Sequence, residues 1–385
     1  MTTLLLPTRE HTLEPWTPTR RGTGVPAPGP VTSRTVYAAA HVVADPLAPW
    51  DPGQTVTVDW DTTLAFRHHL WSCGLGVAEA MDTAQRGMGL DWTATRQLIR
   101  RTGAEARAGG GAWCAGVGTD QLPPGPASIE AIVDAWREQL ELVAGEGAIP
   151  VVMASRALAA AAKGPDDYHD AYGRLLTGAS GPVLLHWLGE QFDPALAGYW
   201  GSGDVREAAA ELAKLCATHA SVIAGVKVSV LDAEVETEFR RSLPPGVACY
   251  TGDDFNYPEL IAGDSHGHSE ALLGIFDPIA RVAGAALNRL DAGDTAGFHR
   301  LLDPTVALSR EIFRAPTRHY KVGVVFLAYL MGHQKHFRMI GGLESARSIV
   351  HLSDVLRLAD AAGVLSDPEL AVERMRPLLA AAGVA

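Results

Sequence analysis

The chain has 385 residues, of which 47% are hydrophobic, and this composition excludes a globally disordered protein. Its net charge of −12, without a long basic block, argues against nucleic acid and anionic membranes as partners. Four scattered cysteines without a CxxC pair, no apolar run of membrane-spanning length and no leader pattern argue against a secreted or membrane protein, so we expect a cytoplasmic location.

In chain order, residues 1–33 are rich in proline and threonine and predict an extended arm with a linker. Short apolar segments then alternate with amphipathic ones. The predicted strands are 34–43, 74–80, 111–118, 150–155, 182–187, 221–232, 247–251 and 267–275, and the predicted helices between them are 61–71, 92–107, 128–144, 168–176 and 205–219. The rest of the chain reads as helices only, at 278–292, 295–314, 318–334, 343–362 and 367–382.

The predicted strands are apolar on consecutive positions, which is typical of strands buried on both faces of a parallel sheet. Eight strand–helix units in roughly 250 residues favour a closed (β/α)8 TIM barrel over an open doubly wound sheet. No GxGxxG follows the first strand, which removes the main support for dinucleotide binding. We therefore predict an α/β fold with an arm at 1–33, a barrel at 34–280 and a C-terminal helical segment at 281–385 packed on the barrel.

The predicted strand SVIAGVKVSVLD carries one charge in its middle, Lys227, among valines and isoleucine. An unpaired buried ammonium is unfavourable, so this position requires an explanation. A desolvated amine has a lowered pKa and can form a Schiff base with a carbonyl compound. The alternative is a lysine that reaches solvent or pairs with a carboxylate.

Active sites of such barrels lie at the C-terminal ends of the strands. Polar residues follow most of the predicted strands at that end. They are Asp82, Thr83, Gln85, Arg86, Thr119, Asp120, Ser155, Arg156, His186, Trp187, Asp253, Asp254, Asp264, His266, His268 and Ser269.

Four segments in this order give the chain a family resemblance. They are AGVKVSVLD at 224–232, ACYTGDD at 248–254, FHRLLDPTVALSREIF at 298–313 and RHYKVGVVFLAYLMG at 318–332. The chain resembles the dihydrodipicolinate synthase/N-acetylneuraminate lyase superfamily of class I aldolases, and within it an uncharacterised branch known as a domain of unknown function. The resemblance covers about residues 34–365 and implies that Lys227 forms the Schiff base.

Two departures from that superfamily concern the substrate. LLHWLG places His186 where the superfamily has a proton-relaying tyrosine; a histidine can do acid–base work near neutral pH, or it can simply pack. The loop MDTAQRGMG replaces a G-T-T-G-E loop that binds the substrate carboxylate, and only Thr83 matches it. Arg86 is a candidate clamp for a carboxylate or phosphate, with a salt bridge as the alternative.

The loop GDSHGHSE contains His266 and His268, which we predict as substrate contacts. Together with His186 and Asp253 or Asp254 they could instead ligate a metal, but without HxxxH or CxxC spacing we expect none. Trp187 is predicted to line the pocket, with core packing as the alternative.

These expectations describe a cytoplasmic lyase or aldolase that cleaves or forms a C–C or C–O bond of a small keto acid or sugar-derived carbonyl. Lys227 and His186 are the predicted catalytic residues. We expect no cofactor, no nucleic acid or membrane partner, and a homo-oligomer, a dimer or tetramer. Substrate binding is assigned to Thr83, Arg86, Asp253, Asp254, His266, His268 and Trp187. The alternatives are a metal-dependent barrel isomerase or hydrolase, and a non-catalytic barrel that binds a small carbonyl compound or sugar acid.

Overall fold

The computed structural model of the protein describes residues 3–19, 24–49, 56–123 and 127–384. An N-terminal hairpin has strands β1 (Leu4–Pro7) and β2 (Leu13–Trp16). The barrel strands are β3 (Val36–Ala39), β4 (Gly76–Glu79), β5 (Trp113–Val117), β6 (Ile149–Met153), β7 (Val183–Leu188), β8 (Ile223–Ser229), β9 (Ala248–Thr251) and β10 (Glu270–Leu273). These eight strands pair in parallel and in chain order, and β10 closes on β3. The predicted (β/α)8 fold is therefore confirmed.

Fourteen α-helices occur among the described residues. Those between the barrel strands are α1 (Trp60–Ser72), α2 (Trp92–Gly109), α3 (Ile129–Gly145), α4 (Arg156–Ala161), α5 (Pro165–Thr177), α6 (Val205–Thr218), α7 (Ala233–Ser242) and α8 (Tyr257–Ala262). Those after the barrel are α9 (Ala280–Asp291), α10 (Thr295–Leu302), α11 (Val306–Ile312), α12 (Lys321–Leu330), α13 (Ile349–Ala361) and α14 (Pro368–Ala381). No helix of this part of the chain is both long and apolar enough to span a membrane.

Several helices differ from the prediction for local reasons. The predicted helix 295–314 is divided between α10 and α11 at Asp303–Thr305, where Pro304 cannot continue the hydrogen-bond ladder. The predicted helix 343–362 begins only at Ile349, because Arg347 and Ser348 before it have extended backbone and the Ser348 side chain caps α13 by accepting from the His351 amide. Helix α7 was not predicted; Asp232 caps it by accepting from the amides of Glu234 and Val235.

The barrel strands bury both faces. Outward side chains such as Val226 and Val228 join the core beneath the helices, whereas inward ones such as Leu184, Tyr37 and Tyr250 form a smaller core inside the barrel. Glycines on neighbouring strands make room for the two tyrosine rings: a Cβ on Gly76 would lie 2.6 Å from the Tyr37 ring, and one on Gly225 would lie 2.6 Å from the Tyr250 ring. The inside of the barrel is therefore a packed core rather than a channel.

The N-terminal arm lies against the C-terminal helices of the same chain. Leu4 and Leu6 of β1 are buried, and the Arg357 guanidinium of α13 donates to the backbone carbonyls of Leu6 and Pro7. Residues 1–2 and 20–23 of the predicted arm, and residue 385 of the predicted C-terminal segment, lie outside the described residues. Because both segments pack closely with the rest of the chain, the domain boundaries at residues 33 and 280 stay a prediction.

The C-terminal segment packs across the end of the barrel where the strands finish. Its residues contact the loops that follow four of the barrel strands. The contacts include Gln334 with His41 after β3, Tyr320 with Thr83 and the Ile340 carbonyl with Gln85 after β4, Phe313 with Phe192 after β7, and Ser309 with the Asp254 carbonyl after β9. This segment therefore supplies part of the wall at the end of the barrel that carries active sites in this fold.

Candidate active site

Lys227 lies in the middle of β8 with its side chain inside the barrel. Its register partners are His186 on β7 and Tyr250 on β9, and it is 7% exposed. Within the part of the chain that the structure describes, no carboxylate lies within 4.0 Å of its Nζ atom. Burial lowers the pKa of Lys227, and the charges of Asp82 and Asp254 partly oppose that shift. The amine is thus desolvated without a contacting counter-ion.

A glycine after β9 leaves the room that the Lys227 side chain occupies. A Cβ atom on Gly252 would lie 2.8 Å from Lys227 Cε and 2.1 Å from Ser229 Oγ. Real Cβ atoms do not approach so closely, so any larger residue at 252 would displace one of these two side chains. In the sequence G-D-D after β9, the glycine therefore has a packing role beside Lys227, and the two aspartates supply carboxylates.

His186 enters the barrel beside Lys227. Its Nε2 lies 3.2 Å from Ser229 Oγ, while its Nδ1 is buried without a hydrogen-bond partner among the described residues. Burial, helped by the charge of Lys227, lowers the pKa of His186 well below its usual value. The imidazole is therefore neutral at pH 7, and a neutral imidazole has one ring nitrogen that can accept a proton.

The two predicted aspartates after β9 differ in their surroundings. Asp253 accepts hydrogen bonds from the backbone amides of Phe255 and Asn256 and from the Asn256 side chain, so it holds the turn before α8. Asp254 is buried, and its Oδ1 accepts from the Ile275 amide at 2.9 Å. Burial raises the pKa of Asp254 to about 7, although the charge of Lys227 acts in the opposite direction. Of the two aspartates, Asp254 is therefore the one whose charge acts on the pKa of Lys227. Its own pKa of about 7 lies near neutral pH.

Thr83, after β4, forms a buried hydrogen bond of 2.8 Å with the hydroxyl of Tyr320. Tyr320 directly precedes α12 and stacks on Phe313 with ring centroids 4.3 Å apart. Burial raises the pKa of Tyr320 well above its usual value, and the nearby charge of Asp82 acts in the same direction. The C-terminal segment thus contributes a neutral phenol to the end of the barrel.

Arg86 has most of its donors engaged by the protein itself. Its guanidinium donates to both oxygens of Asp120 at 3.0 and 2.5 Å, to the backbone carbonyls of Ala80 and Gly116, and to the Gln139 side chain. The side chain joins the loop after β4 to β5 and α3. The structure therefore supports the predicted alternative, a salt bridge, and does not bring Arg86 to Lys227 as a substrate clamp.

Three other predicted contacts are also placed elsewhere. Trp187 points outward from β7, because its neighbour His186 points inward, and it packs on Phe239 of α7. His266 and His268 precede β10, so they lie at the N-terminal end of the barrel, opposite the strand ends. The proposed ligand set of His186, His266, His268 and Asp253 is therefore not assembled, and the described residues contain no group of three or more side chains placed to hold a metal ion.

The comparison with protein families decides the classification. The family described as "Protein of unknown function (DUF993)" matches residues 4–384. The chain belongs to this family. No curated protein matches this DUF993 member.

Solved structures with the same fold include dihydrodipicolinate synthases. The enzyme from Thermotoga maritima has a TM-score of 0.64 at 12% identity, with 86% of this chain and 99% of that one covered. The enzyme from Aquifex aeolicus has a TM-score of 0.59 at 14% identity, with 91% and 98% covered. The enzyme from Bacillus anthracis has a TM-score of 0.61 at 15% identity, with 85% and 98% covered. The predicted resemblance of the DUF993 chain to this superfamily, in an uncharacterised branch, is confirmed at the level of the fold.

Ser229 of the DUF993 site was missed in the sequence. It was recognisable in principle, because it lies two residues after Lys227 on the same strand and so faces the same side. Gly252, at the end of the seventh predicted strand, and Tyr320, which the resemblance places on a pocket-edge or intersubunit helix, were singled out, but their contacts with distant parts of the chain had no local signal.

Proposed function

We propose that this protein is a class I aldolase or lyase in which Lys227 forms an imine with a small keto acid or sugar-derived carbonyl compound. The observation that supports this most directly is the desolvated Lys227 amine inside the barrel, with no carboxylate within 4.0 Å among the described residues. A lysine whose pKa is lowered by burial has a larger fraction of free amine at neutral pH, and only the free amine attacks a carbonyl.

In the proposed reaction, Lys227 Nζ bonds to the carbonyl carbon while the carbonyl oxygen takes up a proton, and the nitrogen then gives up one of its own protons. The C–O bond breaks as the hydroxyl takes up a second proton, water leaves, and a protonated imine remains. Asp254 is the proposed proton carrier for these two steps, because a carboxyl group with a pKa of about 7 is populated in both forms near neutral pH. The imine finally returns to amine and carbonyl by the reverse hydrolysis.

The imine draws electrons from a neighbouring bond. In a C–C cleavage, the β-hydroxyl group loses its proton to a base, the bond between the α and β carbons breaks, and its electron pair forms an enamine with the imine. We assign the base to the neutral ring of His186, whose Nδ1 lacks a protein partner among the described residues. Ser229 orients that ring through Nε2, and we assign an oxygen of the substrate to the hydrogen-bonded hydroxyls of Thr83 and Tyr320.

The finer predictions are kept as proposals. All four cysteines are free thiols, which suits the reducing cytoplasm where we propose that the enzyme acts. A homo-oligomer, a dimer or tetramer, also stays a prediction. The alternative of a metal-dependent isomerase or hydrolase rested on a ligand set that included His266 and His268. These two histidines lie at the opposite end of the barrel, so that alternative loses its support.

The test is borohydride trapping with a panel of keto acids and sugar aldehydes, followed by peptide mapping of the adduct. We expect one reduced adduct on Lys227, which Lys227→Arg abolishes. Lys214→Arg is the control, because Lys214 is exposed on α6 and should not affect trapping. An adduct that maps only to another lysine, or no adduct with the whole panel, would contradict the proposal and favour a barrel that only binds its ligand.

A further inference from the structure

A second lysine is buried at the same end of the barrel. Lys321 is the first residue of α12 and is 2% exposed. Its Nζ donates to the Arg318 carbonyl at 3.1 Å and lies 3.4 Å from the sulfur of Met88. Within the described ranges no carboxylate lies within 4.0 Å of this ammonium. A lysine buried in this way lacks the contacting anion that normally offsets its desolvation.

The surroundings of Lys321 combine residues from four loops. Met88 belongs to the loop after β4, Arg156 begins α4 after β6, and Arg318 precedes α12. Asp82 and Asp193 act on Lys321 as negative charges, and Arg156 and Arg318 act on it as positive charges. Asp193 is already paired with Arg156 at 2.5 Å. This leaves one negative charge, Asp82, with two positive charges, Arg318 and Lys321. The remaining net positive charge favours a further anion.

Lys321 is linked to the Lys227 site through Asp82 and Tyr320. The Lys321 ammonium lies 4.6 Å from the centre of the Tyr320 ring, and Tyr320 is hydrogen-bonded to Thr83, which follows Asp82 in the chain. The charge of Asp82 acts on Lys227, Tyr320 and Lys321. Contacts therefore join Lys321 through Tyr320 to the loop after β4, whose Asp82 acts on both buried amines.

We propose that Lys321 binds an anionic group of the substrate, a carboxylate or phosphate, carried at a distance from the carbonyl carbon that reacts with Lys227. This inference rests on the proposed function and adds the substrate class, a carbonyl compound with a distal acidic group. An anion that enters here gains a charge-assisted hydrogen bond from an ammonium already stripped of water. A neutral substrate gains no such contact.

The test compares substrates that differ only in the distal group. Borohydride trapping on Lys227 is measured with glyceraldehyde 3-phosphate against glyceraldehyde, and with succinic semialdehyde against butanal. We expect half-maximal trapping at about tenfold lower concentration for the charged member of at least one pair, since a charge-assisted hydrogen bond is worth at least that factor. Lys321→Met should remove the preference, and Lys321→Arg should keep part of it. Lys163→Met, at an exposed lysine after α4, should leave it intact.

A second measurement does not depend on imine formation. Inorganic phosphate should raise the melting temperature of the native protein more than that of Lys321→Met. The effect should weaken as the pH rises through about 8, where burial has placed the pKa of Lys321 and the ammonium is lost. Methionine keeps the length of the side chain and removes a buried charge, so this variant should fold.

The outcomes separate the two proposals. Equal trapping of charged and neutral partners by the native protein, or a preference that survives Lys321→Met, overturns the anion site while imine formation at Lys227 stands. If no substrate forms an adduct on Lys227, imine formation is overturned. The anion site is then decided by the phosphate measurement alone, where an equal response of the native protein and Lys321→Met rejects it.

Discussion

His186 and Lys227 are register partners on adjacent strands, and both side chains enter the barrel. The neutral ring and the desolvated amine are kept side by side by the sheet itself, because partner residues on parallel strands face the same side at one level. Ser229, two residues further along β8, completes the group through its contact with His186. Three side chains on two strands therefore need no loop to bring them together.

The first prediction concerns the charge that Asp254 places near Lys227. Asp254→Asn removes a carboxylate that raises the pKa of Lys227, so the amine should become reactive at lower pH. Asparagine retains an oxygen that can accept from the Ile275 amide. The measurement is the pH dependence of Lys227 acetylation by acetic anhydride, mapped by mass spectrometry, because acylation does not use the proton transfers assigned to Asp254. A labelling curve that stays in place, or moves to higher pH, would show that the two groups are not coupled.

The second prediction concerns the space beside Lys227. Gly252→Ala should reduce the rate of trapping at Lys227 and lower the free energy of unfolding by about 1–3 kcal/mol, because the new methyl group overlaps Ser229 Oγ and Lys227 Cε. The control is Gly145→Ala at the end of α3, where a Cβ would meet nothing within 4 Å and stability should change little or rise. Trapping kinetics and chemical denaturation measure the two effects. Equal behaviour of the two variants would contradict the packing argument.

The third prediction concerns the contact between the barrel and the C-terminal segment. Thr83→Val and Tyr320→Phe should each cost about 1–3 kcal/mol of unfolding free energy, because each leaves a buried hydroxyl without its partner. The double variant should cost less than the sum, since it leaves neither group unpaired. A double-mutant cycle in urea measures the coupling. Strictly additive losses would mean that the two hydroxyls do not interact in solution.

The fourth prediction concerns Glu236 of α7, which accepts from Thr251 Oγ1 at 3.0 Å and from Ser269 Oγ at 2.7 Å. Burial raises the pKa of Glu236 from 4.5 to about 8. A raised pKa in the folded state stabilises the protein at or below pH 4.5, and that stability is lost as the pH rises to about 8. The loss is a few kcal/mol, at about 1.4 kcal/mol per pKa unit.

Glu236→Gln carries no charge at any pH, so it should be more stable than the native protein at pH 8 and differ little at pH 5. Denaturation with urea at pH 5, 6.5 and 8 checks this. A stability difference that is the same at all three pH values would show that Glu236 does not titrate in this range.

The strands were predictable from the sequence because short runs of consecutive apolar residues, separated by amphipathic segments, are typical of strands buried on both faces of a parallel sheet. Lys227 stood out because it is a lysine in the middle of such a run. His266 and His268 were wrongly grouped with the residues that follow a strand, because His266 already precedes the strand predicted at 267–275 and His268 lies at its start. Since β10 begins at Glu270, both lie at the N-terminal end of the barrel. Trp187 was predicted to line the pocket, but it is one residue after the inward-facing His186, and consecutive residues of a strand face opposite sides.

The remaining site residues depend on long-range contacts that no local pattern contains. An arginine such as Arg86 has the hydrogen-bond donors of a substrate clamp. Only its contacts with Asp120 and Gln139 show that the protein itself uses these donors. Tyr320 and Lys321 reach the barrel because α12 folds back over it. Their positions follow from tertiary packing and not from periodicity.

Tyr320 and Lys321 are synthesised well after the last barrel strand, β10. During translation, the eight strands can therefore emerge from the ribosome before the site is complete. The Lys227 amine then lacks the wall that Tyr320 and Lys321 later provide. The chemistry proposed for Lys227 therefore requires prior docking of the C-terminal helices, so the last segment to be synthesised, residues 281–385, completes the candidate site.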